Sequence, residues 1–353
     1  MRNLGKLAVL GITALGLALA GPQDNSLVIG ASQEPRVLAG DFLRVISNQA
    51  IKSEIEQYLF APFIGFNADS QNFPVLATEV PTLENGRLRV TDIGGGKKRL
   101  EMDITIRPDA KWSDGRPITT EDVAFYFEVG KAKGMPVLNP DFWERVNVRI
   151  KDARNFTLIF EPAYYYDTYG PINTYAPKHI MGPEWERVKA AARGLDPDKD
   201  AEKLNELYRN FFLKFATPQA LNRGAMVYSG PFKLKRWVPG NSIEMERNPN
   251  FPIKPEGGES KYVQKVVYRF IQNTNSLLVA VIGGSIDATS SASSPLTRAA
   301  RPSWCGALPA ALTSGSSPAP SGSTLTSTSL RTARWSRTSV LTTSAPARPS
   351  STP

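Results

Sequence analysis

Alternation of apolar and polar positions marks the strands of this chain. Leu27-Val28-Ile29-Gly30 is a short apolar run bounded by turn formers. Arg87–Val90 and Leu100–Ile106 both alternate and are joined through Gly94-Gly95-Gly96, a pattern that predicts a β-hairpin. Asn155–Phe160 alternates again and buries Phe156, Leu158 and Phe160. Strand-like stretches recur at Phe232–Trp237, Ile243–Arg247 and Val263–Ile271. Helical spacing predicts Ser53–Phe60, with Ile55, Leu59 and Phe60 inward and Pro62 ending it. It also predicts Lys203–Phe215, through Leu204, Leu207, Phe211 and Phe215, and a closing helix at Asn273–Ile282. A further helix should start at Thr119. Thr119 and Asp122 have the spacing of a capping box, Glu121 and Asp122 suit the positive helix end, and Val123, Ala124 and Phe127 face inward. Strands and helices mixed without a strict βαβ rhythm give an α/β (mixed α+β) class.

The two ends change this picture. Arg2 and Lys6 precede an apolar run, Leu7–Ala20, which ends in the small residues Ala18-Leu19-Ala20. That is the layout of a signal peptide, residues 1–20, cleaved after Ala20, and it predicts an exported protein of the periplasm or cell envelope. The run is shorter than a membrane-spanning helix needs. No Cys follows it, so lipid attachment is not expected, and Cys305 as sole cysteine leaves no internal disulfide. From residue 288 onward Asp, Glu, Lys, Ile, Phe, Tyr, Met, Asn, Gln and His are all absent. Ser, Thr, Ala, Pro and Arg dominate. Residues 288–353 therefore read either as a disordered Ser/Pro/Arg tail or as a GC-rich gene translated out of frame. The frame reading is favoured by back-translation. One permitted shifted reading of Thr338–Pro353 is D-L-G-L-D-D-K-R-T-R-Q-A-L-L-Y-A, a hypothetical string with helix-forming composition. The net charge of +9 belongs to these ends: without the six tail arginines, Arg2 and Lys6, the remainder is about +1. A nucleic-acid-binding body is not expected.

Candidate chemistry is sparse. Gly94-Gly95-Gly96-Lys97-Lys98 lacks the first glycine of a phosphate loop and the hydroxyl after its lysine, since Thr91 and Lys98 stand there. Asp196-Pro197-Asp198-Lys199-Asp200 begins like a calcium loop, but Ala201 replaces the turn glycine and Leu207 the terminal bidentate acid. Acids leading into the Lys203–Phe215 helix account for it better. His179 is the only histidine, with no Ser or Cys motif beside it, and reads as structural. Tyr164, Tyr165, Tyr166, Tyr169 and Tyr175 cluster after a strand, as core packing or as a ligand-lining group. No catalytic group, metal site or cofactor site assembles. The composition is that of a binding module, not an enzyme.

Ile106–Glu128, I-R-P-D-A-K-W-S-D-G-R-P-I-T-T-E-D-V-A-F-Y-F-E, resembles the signature of the family 5 extracellular solute-binding proteins, the periplasmic peptide-, oligopeptide- and nickel-binding components of ABC transporters. Tyr228–Asn250, Y-S-G-P-F-K-L-K-R-W-V-P-G-N-S-I-E-M-E-R-N-P-N, resembles the family's second common block. Gly284-Ser285-Ile286-Asp287 resembles a third element, with Ser285 where an acid is usual. The shifted R-Q-A-L-L-Y-A resembles another. The resemblance covers about residues 27–287.

It implies two lobes across a hinge, with an extra small domain on the first lobe. Residues 24–58 with 176–287 would form the first lobe and 59–175 the inserted domain. The second large lobe would be absent. It further implies a monomer that captures di- or oligopeptides and delivers them to a membrane permease and ATPase, with no cofactor. Nickel or another small solute is the alternative ligand, and a secreted envelope protein the alternative of another class. Trp112, Asp114, Gly115 and Pro117 would build one turn, and Gly230, Pro231, Asn248 and Pro249 would punctuate strands as scaffold. Glu34, Tyr228 and Ser229 would lie near ligand. A chain with one lobe would leave its cleft wall open and bind weakly.

Overall fold

The computed structural model describes residues 25–66, 71–164, 176–254 and 263–291. The leader, Tyr165–Tyr175 and the chain after Ser291 lie outside these residues, so the expectations for the signal peptide, the tail and most of the tyrosine cluster do too.

Chain order is β1 (Ser26–Ala31), α1 (Ala50–Leu59), β2 (Ile64–Phe66), β3 (Asn72–Pro74), β4 (Leu88–Asp92), β5 (Lys98–Thr105), α2 (Thr120–Gly130), α3 (Pro140–Arg145), β6 (Val146–Ile150) and β7 (Asn155–Phe160). Then come α4 (Lys178–Ala192), α5 (Ala201–Ala216), α6 (Pro218–Asn222), β8 (Phe232–Val238), β9 (Ser242–Arg247), β10 (Lys265–Phe270), α7 (Thr274–Ile282) and β11 (Ala288–Thr289). Three sheets result: β11-β1-β10-β9-β8, the β2-β3 ribbon, and β4-β5-β7-β6. This is a mixed α/β lobe carrying a smaller antiparallel layer.

In the five-stranded sheet β1 pairs in parallel with both β10 and β11, while β9 runs antiparallel to β10 and β8. Hence β1, β8, β10 and β11 all point their carboxyl ends to one edge. The four-stranded sheet is wholly antiparallel, and its β4–β5 hairpin turns at the predicted glycines. Its inner face buries Leu100, Met102, Ile104, Phe156, Leu158 and Phe160. Arg89, Glu101, Asp103, Arg149 and Lys151 pair across its outer face, as the period-two alternation requires. One hydrophobic core runs from the first sheet into the second.

Several expectations shift. Helix α1 starts at Ala50, three residues early, and buries Lys52 and Glu56 along with Ile51, Ile55 and Leu59. In α2 the Thr119 capping box forms with Asp122. Phe125 and Val129 are buried there as well, and Ala124 is only half-buried, because α2 is enclosed on most sides. Leu207 is half-buried, while Tyr208 and Phe212 go into the core. Helix α4 was not foreseen. Gly182-Pro183 falls inside it, yet the helix runs on unbroken, and Met181, Trp185 and Val188 keep helical spacing and are buried. Residues 288–291, assigned above to the tail, belong to the fold: β11 pairs with β1, and Ser290 N donates to Gly30 O.

Candidate functional site

The signature segments meet at the amino edge of the five-stranded sheet, where β8 begins. Trp112 is fully buried, and its Nε1 donates to Asp122 Oδ2 at 3.2 Å. The same carboxylate accepts from Thr119 N at 3.0 Å and, through Oδ1, from Lys178 N at 2.9 Å. Burial raises the Asp122 pKa against the pull of these donors. One side chain thus ties together the signature turn and the starts of α2 and α4.

Gly115 takes φ +89°, a conformation that favours glycine, and Asp114 Oδ1 accepts from Arg116 N. His179, the lone histidine, bonds Asp114 Oδ2 at 2.8 Å and lies against Trp112, which gives it a structural place. Pro117, expected to pack the turn, is exposed. Its backbone bridges to Lys111, and the indole of Trp112 alone fills the core.

The second block locks onto the first. Ser113 N donates to Tyr228 O at 2.8 Å, and Tyr228 N to Ser113 Oγ at 3.0 Å. Asn250 Nδ2 donates to Ser113 O. Asn248 is fully buried; its Nδ2 donates to Gly230 O at 2.8 Å, and its N to Pro231 O at 2.9 Å. Gly230 sits so close to α1 that a Cβ there would stand 2.6 Å from the backbone carbon of Leu59. Ser229 has no exposed surface and accepts from Ala61 N. Tyr228 is buried against Phe60, and burial pushes its phenol pKa well up. Tyr228 and Ser229 therefore lie inside this junction.

Glu34 lies at the opposite edge, beyond the carboxyl end of β1. Open α/β sheets bind ligands outside the carboxyl ends of their strands, where strand order reverses. That reversal occurs here at β1, since β10 and β11 flank it and α7 connects them across it. The rim comprises the β1 exit Ser32–Arg36, the β8–β9 turn, the start of α7, and Ser290–Ser291. Glu54 of α1 joins it, accepting from Tyr268 Oη at 2.8 Å, Ser290 Oγ at 2.9 Å and Ser291 Oγ at 2.6 Å. Nearby Tyr58 is pushed up to about 12, chiefly by burial.

Eighteen residues without regular structure, 32–49, run from β1 to α1, and most of 35–47 is buried. Buried loop backbone must find partners, and charged side chains supply them. Glu56 Oε1 accepts from Ala39 N, Lys52 Nζ donates to Asp41 O, and the Asp41 carboxylate accepts from Ile46 N and Ser47 N. Lys52 Nζ also pairs with Glu56 at 3.0 Å, with both side chains out of solvent. Burial raises the pKa of Asp41 and of Glu56, and Lys52 partly offsets it. Ala39 and Arg44 adopt φ of 58° and 60°, strain that clusters at working surfaces. Sequence reading missed this set. Lys52 and Glu56, four apart on a helix, look like an ordinary surface pair.

Elsewhere the chemistry is quiet. Asp196 accepts from Asp198 N and Lys199 N, as acids before a helix do. Among the described residues no group of three His, Cys, Asp or Glu side chains could hold a metal. No described helix is long and apolar enough to cross a membrane. Tyr164 lies under the Arg145 guanidinium, 4.0 Å from its ring centre.

Comparison with known proteins agrees with this architecture. The oligopeptide-binding protein AppA of Bacillus subtilis is 24% identical over 270 residues, which are 75% of this chain and 40% of that protein. The peptidoglycan-binding protein YepA of Agrobacterium fabrum is 30% identical over 199 residues, 54% of this chain and 26% of that one. The structure of B. subtilis AppA in complex with a nonapeptide superposes with a TM-score of 0.50 at 22% identity, covering 75% of this chain and 43% of that one. The chain thus spans well under half the length of these relatives. The family described as "Bacterial extracellular solute-binding proteins, family 5 Middle" matches residues 97–302, more than half of the chain. With both signature blocks locked together at the start of β8, the chain belongs to the family 5 bacterial extracellular solute-binding proteins.

Proposed function

We propose that this chain is the exported substrate-binding component of an ABC importer, of the di- and oligopeptide class. Residues 1–20 direct export and are cleaved after Ala20. Residues 24–58 with 176–291 form the first lobe, and 59–175 the inserted domain. The observation that carries the reading is the carboxyl-edge rim. It sets an extended β1 exit, Ser32–Glu34, and a ring of hydroxyl and carboxylate groups where a peptide main chain finds partners. The oligopeptide-binding relative AppA supports the same ligand class. Of the three proposed contact residues, Glu34 belongs to this rim, whereas Tyr228 and Ser229 support the lobe from the opposite edge. With a second lobe to close the cleft the protein would work as a monomer without cofactor, passing ligand to a permease and ATPase; one lobe alone should bind weakly or not at all.

Uptake of a labelled nonapeptide by cells with and without the gene tests this. Deletion should abolish peptide uptake and leave nickel uptake unchanged. The reverse result would replace the peptide reading with the nickel one. Resequencing the gene from the codon of Val279 onward tests the frame change proposed for the segment after Ser291. An unaltered reading would refute it.

A further inference from the structure

Glu34 is bound at both ends. Its Oε1 accepts from Trp237 Nε1 at 2.7 Å, and its Oε2 from Gly240 N at 2.8 Å. Its own carbonyl accepts from Gln49 Nε2, whose Oε1 accepts from Arg36 N at 2.7 Å. Both donors to the carboxylate come from the β8–β9 hairpin, 203 and 206 residues away in sequence. Gly240 N does not serve the hairpin's own turn, which Asn241 N closes on Val238 O.

Trp237 is itself fixed. It is buried, and the Asn222 side-chain amide pairs with its backbone: Trp237 N donates to Asn222 Oδ1 at 2.8 Å, and Asn222 Nδ2 to Trp237 O at 2.7 Å. A rigid chain of contacts therefore runs from α6 through Trp237 to the β1 exit. Bonds of this kind to an ionised carboxylate are the strong ones.

We infer that Glu34 acts as the clamp of the rim and not as a group held open for ligand, and that Trp237 is the positioning residue that sets it. This rests on the proposed peptide site for its functional meaning, although the clamp itself is visible without ligand. Fixing the rim before binding removes the ordering cost that a loose segment would have to meet.

The test uses the full chain with Glu34→Gln and Trp237→Phe. Glu34→Gln keeps size but only one acceptor for two donors, so its amide NH2 must face either Gly240 N or Trp237 Nε1. Trp237→Phe removes the indole donor and leaves the Glu34 carboxylate in place. N–H exchange at Gly240 or at the Trp237 indole should speed up by about tenfold in Glu34→Gln, the factor expected for losing one such bond. Titration with a mixed-sequence nonapeptide should then show both variants weakened by similar factors.

Unchanged exchange at both Gly240 N and the Trp237 indole N–H in Glu34→Gln would overturn the clamp. Weakened peptide binding in Glu34→Gln with full binding in Trp237→Phe would overturn the positioning role and make Glu34 a direct contact. Weak binding is expected of one lobe alone; nickel binding in place of any nonapeptide binding would count against the peptide reading, while the exchange result would still decide the clamp.

Discussion

Asn248→Ala probes the junction of the two signature blocks most directly. The side chain is fully buried and makes two bonds, donating through Nδ2 to Gly230 O at 2.8 Å and accepting at Oδ1 from Asn250 N at 3.1 Å. Each is worth about 1 kcal/mol net. Truncation also leaves the Gly230 carbonyl without this donor inside a buried junction. An orphaned buried carbonyl adds about 1–2 kcal/mol. The expected loss is about 3 kcal/mol. For a body of this size that lowers the melting temperature by roughly 6–12 °C.

Equilibrium urea unfolding followed by tryptophan fluorescence, with a thermal melt beside it, measures the effect. Asn250→Ala is the internal comparison. It removes a single side-chain bond, to Ser113 O at 3.1 Å, and should cost about 1 kcal/mol. An Asn248→Ala protein that melts within about 2 °C of the unaltered chain would show that the junction does not depend on this bond network.

Gly230→Ala should cost at least about 2 kcal/mol, because the new methyl meets only backbone, at 2.6–2.7 Å, and no side chain can swing away; a normal melting curve would contradict that geometry. Lys52→Met should cost about 3–5 kcal/mol at neutral pH by leaving Glu56 and Asp41 buried without their cation. Burial already raises both carboxyl pKa values, so in the fold they take up protons at higher pH than in the unfolded chain. The deficit should therefore shrink as pH falls, and a deficit that is flat with pH would refute the assignment. Asp103 has the opposite sign. Burial pushes it up, but bonds from Arg89, Lys151 and Thr157 outweigh this and hold it well below the usual range. Its contribution is present above its unfolded pKa and lost as pH falls through the folded one. Asp103→Asn should cost about 1–2 kcal/mol at pH 7 and flatten the acid limb of stability measured by urea unfolding across pH.

The strands were legible where one face is buried and the other wet. Leu100, Met102 and Ile104 alternate with Arg99, Glu101 and Asp103, and no other structure satisfies that pattern. The α2 start was legible because its cap is local: Thr119 and Asp122 need only each other. Elements that depend on distant partners were harder to read. Helix α4 hides behind Gly182-Pro183 and is held by Asp122, 56 residues earlier. Strand β6 follows α3 without an intervening turn, so nothing in the sequence punctuates it. The rim was least legible. Glu34 meets Trp237, and Glu54 meets Ser290, only because β1 pairs with strands from the far end of the chain. Ser290 and Ser291 were lost in a compositional bias that begins at residue 288. What composition marks as tail and what pairing marks as sheet overlap there by four residues.

The junction at Ser113, Tyr228, Gly230 and Asn248 also bears on autonomy. The inserted layer is continuous in sequence and has its own sheet, so it resembles a module that could be cut out and grown alone. Its core, however, is shared: Phe42 of the β1–α1 segment packs on Tyr126 of α2, and the signature turn closes on the segment that feeds β8. Neither part finishes its own interior. The two should melt together in a single calorimetric transition, and excising residues 59–175 should leave both pieces insoluble. The insertion is, in folding terms, a wall of the same room.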